Sequence, residues 1–296
     1  SGSPAGGMQD NEITTTAYKG MPSVIVPIQP QGSRPPFFCV HPVGGGVFCY
    51  RALARHLGSE QPFYGLQARD LIRGQEPHAD IETMAADYLE ALRSVQPAGP
   101  YRLGGWSLGG VTAFEMAQQL RRQGQSVALL TLIDSVVPSL LDQSLARSDE
   151  SSQPENGADP SRNHDVLAML EELCSTGTEE EIQDAFEQVK REGFLPTEVA
   201  PEDFQRWLRG CHARVQAVRA YDPSPFAGRI VLFKTIESDQ EHKLTTVVEK
   251  NSDSAFGWSE LAAEGVEVYT VAGSHQTVVL EPHVADLANQ LKRCLA

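Results

Sequence analysis

Short runs of consecutive apolar residues alternate along much of the chain with longer segments in which apolar residues recur every three or four positions. The short runs are typical of strands buried on both faces of a sheet, and the longer segments predict helices with one buried face. This alternation predicts an α/β domain, in which a mostly parallel sheet has helices on both faces. The predicted strands are 37–40, 62–66, 101–105, 127–133, 229–234 and 266–271, with 24–28 as a candidate edge strand; the predicted helices are about 47–57, 80–96, 111–120 and 282–294.

The alternation stops after Pro138 and resumes near residue 229. Residues 141–162 are rich in Ser, Asp, Gln and Pro, and because they have little apolar surface to bury they are predicted to be mobile. Three helical stretches then follow without a strand between them, at about 163–176, 179–192 and 201–221.

The pattern therefore divides the chain into three parts. Residues 1–34, rich in Gly, Pro, Ser and Thr, are expected to be a linker with vector-derived residues at its start. Residues 35–138 and 228–296 are expected to form the α/β core. Residues 139–227 are expected to form a helical insertion that covers the core as a lid.

Composition narrows the class of protein. The sequence has no apolar run of 18 residues and no N-terminal apolar signal segment, so we expect a cytoplasmic protein without a membrane span or membrane partner. Five scattered cysteines without C-x-x-C spacing predict neither a disulfide framework nor a metal site. The net charge of −15 argues against a nucleic-acid partner, and residues 141–203, with 17 acidic and 4 basic side chains, carry most of it.

The motif G-x-S-x-G stands at Gly105-Trp106-Ser107-Leu108-Gly109, between a predicted strand and a predicted helix. This is the context of the nucleophile elbow of the α/β-hydrolase fold, in which a sharp turn exposes a serine hydroxyl beside the N-terminus of a helix. Glycines two positions to either side leave room for the strained turn. Ser107 is therefore the candidate nucleophile.

A serine nucleophile needs a base to take its proton and an acid to orient the base. His275 follows the last predicted strand and is the candidate base, with His283 as an alternative. Asp134 ends an apolar strand, where a buried carboxylate needs a partner, and is the favoured acid. Asp239, beyond the next strand, is the alternative acid.

Acyl transfer also needs N–H donors that stabilise the oxyanion. The amide of Leu108, directly after the nucleophile, is one candidate, and the amide of Val43, in the loop after strand 37–40, is the other. The glycines at 44–46 could instead serve a purely steric need of the turn. A phosphate-binding loop is the third interpretation, which the absence of a following Lys-Ser or Lys-Thr disfavours.

Together these motifs resemble the type I thioesterase domains that end nonribosomal peptide and polyketide synthases, with fatty-acid synthase thioesterases as relatives. The resemblance covers about 35–137 and 229–295, and the insertion matches only in position and helical character. It implies that Asp134 is the triad acid and that the Val43 and Leu108 amides form the oxyanion hole. The motifs that carry it are Pro35-Pro-Phe-Phe-Cys-Val-His-Pro-Val-Gly-Gly45, Gly99-Pro-Tyr-Arg-Leu-Gly-Gly-Trp-Ser-Leu-Gly-Gly110, Leu132-Ile-Asp134 with Pro138, and Gly273-Ser-His275 with Glu281-Pro-His283.

The resemblance also implies a substrate and a partner. The substrate would be an acyl or peptidyl thioester on the phosphopantetheine arm of an upstream carrier domain, and no cofactor would be bound in the domain itself. Ser107 would take the chain as an ester, which water or an internal hydroxyl or amine would release as a free acid or a macrocycle. The alternatives are a stand-alone editing thioesterase of type II, a hydrolase of small esters, and a non-catalytic binding protein of the same fold.

Two further expectations concern the insertion. It is expected to control access to the site and the choice of product without affecting the acylation of Ser107. Its last helix carries Arg206, Arg209, Arg214 and Arg219, which would either dock an acidic carrier domain or balance the acidic segment in solvent.

Overall fold

The computed structural model describes residues 24–140, 173, 177–191, 200–236 and 254–296. Their seven strands are β1 (Ile25–Gln29), β2 (Phe37–Val40), β3 (Phe63–Leu66), β4 (Tyr101–Trp106), β5 (Val127–Ile133), β6 (Ile230–Thr235) and β7 (Val266–Val271). These form one sheet in the order β1-β3-β2-β4-β5-β6-β7, in which only the β1–β3 pair is antiparallel. The mostly parallel sheet confirms the predicted fold class.

The helices of the core follow the strands as the alternation predicts. They are α1 (Arg51–Leu57), which a short 3₁₀ turn precedes, α2 (Ile81–Arg93), α3 (Leu108–Arg122) and α6 (Val284–Leu295). Two helices of the insertion, α4 (Glu179–Arg191) and α5 (Pro201–Ala220), lie between β5 and β6 in the chain. Helix α3 begins three residues earlier than its apolar spacing predicts, because the glycines of its first turn contribute no apolar side chain to the pattern.

Two hydrophobic clusters cover the two faces of the sheet. One contains the buried side chains of α2 and α3, and the other contains those of α1 and α6. Neighbouring residues of β2 point to opposite clusters: Phe37 faces α1 and α6, and Phe38 faces α2 and α3. Burial on both faces explains why β2 is continuously apolar.

Strand β1 lies within the stretch predicted as linker. It pairs with β3 through Ile25 and Leu66 at the edge of the sheet, as the candidate edge strand suggested. Residues 25–29 are therefore part of the core sheet. The remaining domain boundaries stay predictions, and residues 1–23 lie outside the described residues.

Helix α5 joins the insertion to the core. Pro201 at its first position and acidic residues in its first turn favour its start. Its first half packs with α4 and Leu173 in a third apolar cluster, while its last turns pack with the core cluster of α2 and α3. The predicted mobile segment 141–162 and all of the predicted helix 163–176 except Leu173 lie outside the described residues.

None of the helices within the described ranges has the length and apolar character needed to cross a membrane.

Candidate active site

Ser107 occupies the sharp turn between β4 and α3. Its backbone has φ 58° and ψ −131°, and a positive φ is uncommon for a residue other than glycine. A Cβ on Gly105 would collide with the Gly109 carbonyl, and a Cβ on Gly109 would collide with the carbonyls of Val40 and His41. The turn can close only because both flanking positions are glycine, as the motif predicts.

Three side chains meet at the carboxyl ends of β4, β5 and β7. The Nε2 atom of His275 lies 3.1 Å from the Ser107 Oγ, and its Nδ1 atom lies 2.8 Å from a carboxylate oxygen of Asp134. Because the carboxylate can only accept a hydrogen bond, Nδ1 carries the proton and Nε2 can accept one from the serine. The structure therefore brings together the three residues selected from the sequence.

Asp134 is bonded through both carboxylate oxygens. The oxygen that does not face His275 accepts hydrogen bonds from the backbone N–H and the hydroxyl of Thr235, both at 3.0 Å. Burial by itself would raise the pKa of Asp134, but the hydrogen bond and charge of His275, together with the two bonds from Thr235, hold the pKa below its ordinary value. The carboxylate is therefore ionised at neutral pH and can orient the imidazole.

The structure describes the alternative base, His283, but not the alternative acid, Asp239. His283 lies at the N-cap of α6, and its ring sits close to the backbone of Gly273. Of the two histidines, it is His275 whose ring bonds to the Ser107 hydroxyl. Asp239 lies outside the described residues, so its role as an alternative acid stays a prediction.

The two candidate oxyanion amides lie at the same edge of the sheet. Strands β2 and β4 pair with Val40 opposite Gly105, and Val43 and Leu108 each follow three residues after that pair. Leu108 is the first residue of α3, so its N–H belongs to the helix terminus, where donors have no partner within the helix. Both amides therefore lie just beyond the carboxyl ends of two paired strands: Val43 in the loop after β2, and Leu108 at the start of α3.

A buried tyrosine links the ends of these two strands. The Tyr50 hydroxyl donates to the Val40 carbonyl at 2.6 Å and accepts from the Trp106 N–H at 3.2 Å. Because Tyr50 is fully buried, these bonds are protected from water. They hold the end of β2 against the end of β4, directly before the elbow.

His41, next to the candidate oxyanion loop, is buried in a polar network. Its Nδ1 lies 2.7 Å from the Pro42 carbonyl, which can only accept, and its Nε2 lies 2.7 Å from the Tyr88 hydroxyl. Nδ1 therefore carries a proton, which it donates to this carbonyl. Burial, assisted by the charge of Arg214, lowers the pKa of His41 to about 3.

This burial predicts a loss of stability in acid. An unfolded His41 has an ordinary pKa of about 6.5, so between about pH 6.5 and 3 only the unfolded chain binds this proton. Above pH 6.5 the protonation of His41 does not lower the free energy of unfolding. Below pH 6.5 it lowers the free energy of unfolding by up to about 1.4 kcal/mol for each pH unit. Urea unfolding at pH 7, 6, 5 and 4 should show a steeper decline for the wild type than for His41→Asn. Parallel curves for the two proteins would contradict the prediction.

Sequence reasoning missed Thr235 and misread Arg214. Thr235 is the last residue of β6, the strand next to β5. Its hydroxyl, at the end of the strand beside the one that Asp134 follows, is the signal in the sequence that could have pointed to it. Arg214 was grouped with the basic residues of a docking or solvated face, but it is 2% exposed and bonds Asp70 with one nitrogen at 2.7 and 2.9 Å. Arg214 is therefore part of neither a docking surface nor a solvated face, because its bond to Asp70, 144 residues earlier in the chain, holds it in the interior.

The family model described as "Thioesterase domain" matches residues 35–293. Malpibaldin synthetase of Mortierella alpina is 32% identical over 258 residues, which are 86% of this chain and 4% of that protein. Malpinin synthetase of the same organism is 52% identical, and a dimodular nonribosomal peptide synthase of Bacillus subtilis is 47% identical, each over 112 residues or 38% of this chain. The chain spans only 1% and 5% of these two proteins.

Solved structures show the same fold. The NocB thioesterase domain, in a covalent complex with a fluorophosphonate nocardicin G analogue, matches with a TM-score of 0.64 and 25% identity, covering 93% of this chain and 100% of that one. A four-domain nonribosomal peptide synthetase, holo-AB3403, matches with a TM-score of 0.72 and 24% identity, covering 92% of this chain and 20% of that one.

Proposed function

The chain belongs to the thioesterase domain family, and from this premise we propose that it releases an acyl or peptidyl chain from a carrier-bound thioester through an ester on Ser107. The observation that carries the proposal is the hydrogen-bonded series from Asp134 through His275 to the Ser107 hydroxyl at a nucleophile elbow. The synthetases among the relatives support a substrate from nonribosomal peptide or polyketide assembly.

The first half of the reaction transfers the chain to the enzyme. His275 Nε2 takes the proton from the Ser107 hydroxyl as Oγ attacks the thioester carbonyl carbon. The oxyanion that forms accepts hydrogen bonds from the Val43 and Leu108 amides, which are in place before the charge develops. As the carbon–sulfur bond breaks, the imidazolium returns its proton to the sulfur, so the phosphopantetheine arm leaves as a thiol.

The second half repeats the chemistry with a new nucleophile. Water, or a hydroxyl or amine of the chain itself, gives a proton to His275 and attacks the ester carbonyl. The same amides stabilise the second oxyanion. The bond to Ser107 Oγ then breaks and His275 protonates the serine, which frees an acid or a cyclic product and regenerates the enzyme.

The function is tested with a synthetic acyl-thioester and mass spectrometry. We expect a mass adduct on the intact protein equal to the acyl group, followed by release of acid or cyclic product. Comparing the same acyl group on a carrier protein and as a small ester separates the proposed function from its alternatives. A hydrolase of small esters would turn over the ester efficiently and gain nothing from the carrier. A free-standing editing thioesterase would favour short, misloaded acyl groups over the full-length chain.

The proposed partner is an upstream carrier domain that presents the substrate on phosphopantetheine. Its support is that the relatives are synthetases far longer than this chain. The basic residues that could meet such a domain are fewer than the sequence suggests, because Arg214 is buried. Arg206 is bonded within its own helix to Asp203 at 2.9 Å, and Arg209 is exposed.

Removing these two cations tests whether this face docks the carrier. Because Arg206 is already paired within its own helix, we expect Arg206→Gln with Arg209→Gln to change the ratio of rates on carrier-bound and small thioesters by less than about twofold, as is typical of exposed ion pairs. The measurement is kcat/KM for both substrates at low and high salt. A loss confined to the carrier-bound substrate and removed by salt would show that the face binds the carrier.

A further inference from the structure

The candidate oxyanion loop is held on both sides of Val43. The Pro42 carbonyl accepts hydrogen bonds from His41 Nδ1 at 2.7 Å and from the Gly45 N–H at 2.9 Å. In a planar trans peptide the following N–H points away from that carbonyl, so these two bonds also fix the direction of the Val43 N–H. The Val43 carbonyl, one peptide further on, accepts from Arg214 Nε at 2.7 Å. Both peptide planes around Val43 are therefore fixed by hydrogen bonds.

Arg214 is itself held in one orientation. Its Nη1 bonds both carboxylate oxygens of Asp70, and each side chain of the pair is 3% exposed. Two glycines make room for the pair: a Cβ on Gly210 would collide with the Asp70 carboxylate, and a Cβ on Gly45 would press on the guanidinium. A buried ion pair adds little net stability because its desolvation offsets its attraction. The clearest effect of this pair is to fix where Arg214 Nε points.

Arg214 belongs to α5, the helix that connects the insertion to the core. Trp207, two turns earlier on the same face, donates from Nε1 to the Gly44 carbonyl at 2.9 Å. The Val43 side chain packs against both the apolar cluster of the insertion and the core cluster of α2 and α3. The insertion thus contacts three successive features of the loop. Its apolar cluster packs against the Val43 side chain, and helix α5 donates to the Val43 and Gly44 carbonyls.

We propose that Arg214 is a positioning residue for the oxyanion hole, through which the seating of helix α5 sets the orientation of the Val43 amide. The proposal rests on the function proposed above, and it departs from the expectation that the insertion leaves the acylation of Ser107 unaffected. When α5 is displaced from its seat, the Val43 carbonyl loses its donor and the loop gains freedom to rotate its amide away from the oxyanion. The oxyanion hole is then complete only while the helix is in place.

The test replaces the buried pair without leaving a lone charge. Asp70→Asn with Arg214→Gln removes both charges and the planar fork of the arginine. Since losing one oxyanion donor costs 10²- to 10³-fold in kcat, loosening one should reduce single-turnover acylation by a short acyl-thioester about 10- to 100-fold. KM should stay unchanged, and the Ki of a short alkylboronic acid, which forms a tetrahedral adduct on the serine, should rise by the same factor. Arg209→Gln, at an exposed position of the same helix, is the matched control and should behave as wild type.

Urea unfolding establishes that the variant is folded before its kinetics are interpreted. A folded double variant with wild-type acylation and wild-type boronate affinity would overturn the proposal. If the double variant does not fold, the same two measurements are made on Arg214→Lys, which keeps a charge beside Asp70. The proposal requires a smaller loss of acylation rate and of boronate affinity in this variant. Wild-type values for both would overturn the proposal. If the wild type forms no acyl adduct at all, the proposed function fails, and not this inference alone.

Discussion

Ser107→Ala is expected to abolish the acyl-enzyme and to lower kcat for acyl-thioesters by on the order of 10⁶-fold, as removal of a triad serine does in proteases. The substitution removes the hydroxyl oxygen that lies 3.1 Å from His275 Nε2. The fold should be unaffected, because the turn depends on Gly105 and Gly109 and not on the serine hydroxyl. Incubation with an acyl-thioester and intact-protein mass spectrometry measures the adduct directly.

Ser135→Ala is the matched control for this experiment. Ser135 is 1% exposed, adjoins Asp134, and has a hydroxyl that forms no hydrogen bond with the residues the structure describes. Removal of this hydroxyl should leave the acyl adduct at its wild-type yield. That result would show that the loss of a buried hydroxyl near the site is not sufficient to abolish the adduct. An undiminished adduct on Ser107→Ala would rule out Ser107 as the nucleophile and with it the proposed mechanism.

The sequence predicted the parts of the site that depend on local pattern. Ser107, Asp134 and His275 each stand just beyond a predicted strand, and the carboxyl ends of parallel strands meet at one edge of a sheet. Their convergence could therefore be expected without knowing the order of the strands. The strand order and the antiparallel pairing of β1 could not be read in this way, because they depend on contacts between distant segments.

The network around the oxyanion loop shows where local pattern stops being informative. His41 and the glycines after it are recognisable as a loop, but the partner of His41 Nε2 is the hydroxyl of Tyr88, 47 residues away. Arg214 shares its helix with three arginines that are half-buried or exposed, and its buried contact with Asp70 shows that it faces the interior. Thr235 gains its role from a carboxylate 101 residues earlier. In each case a hydrogen bond to a residue far away in the sequence decides the role of the residue.

Asp134→Asn is expected to lower kcat by on the order of 10⁴-fold, the loss observed when the triad aspartate of a protease is replaced in this way. The structure indicates why an isosteric amide fails here. Thr235 presents two donors to one oxygen of the side chain, so an asparagine would place its oxygen there and turn its NH₂ group toward His275. His275 Nδ1 would then have to accept, and its proton would move to Nε2. The base would point an N–H at the Ser107 hydroxyl where it needs a lone pair.

The comparison that tests this reasoning is Asp239→Asn, at the alternative acid. Asp134→Asn should remain folded, because the amide keeps the shape of the carboxylate and both bonds from Thr235, and its defect should lie in kcat for short thioesters. Asp239→Asn should have a kcat close to wild type. The added variant Thr235→Val sharpens the test: with the hydroxyl donor gone, the asparagine in Asp134→Asn/Thr235→Val is less strongly held in the wrong orientation, so the double variant should lose no more activity than Asp134→Asn alone. A large loss in Asp239→Asn with little in Asp134→Asn would move the role of the acid to Asp239.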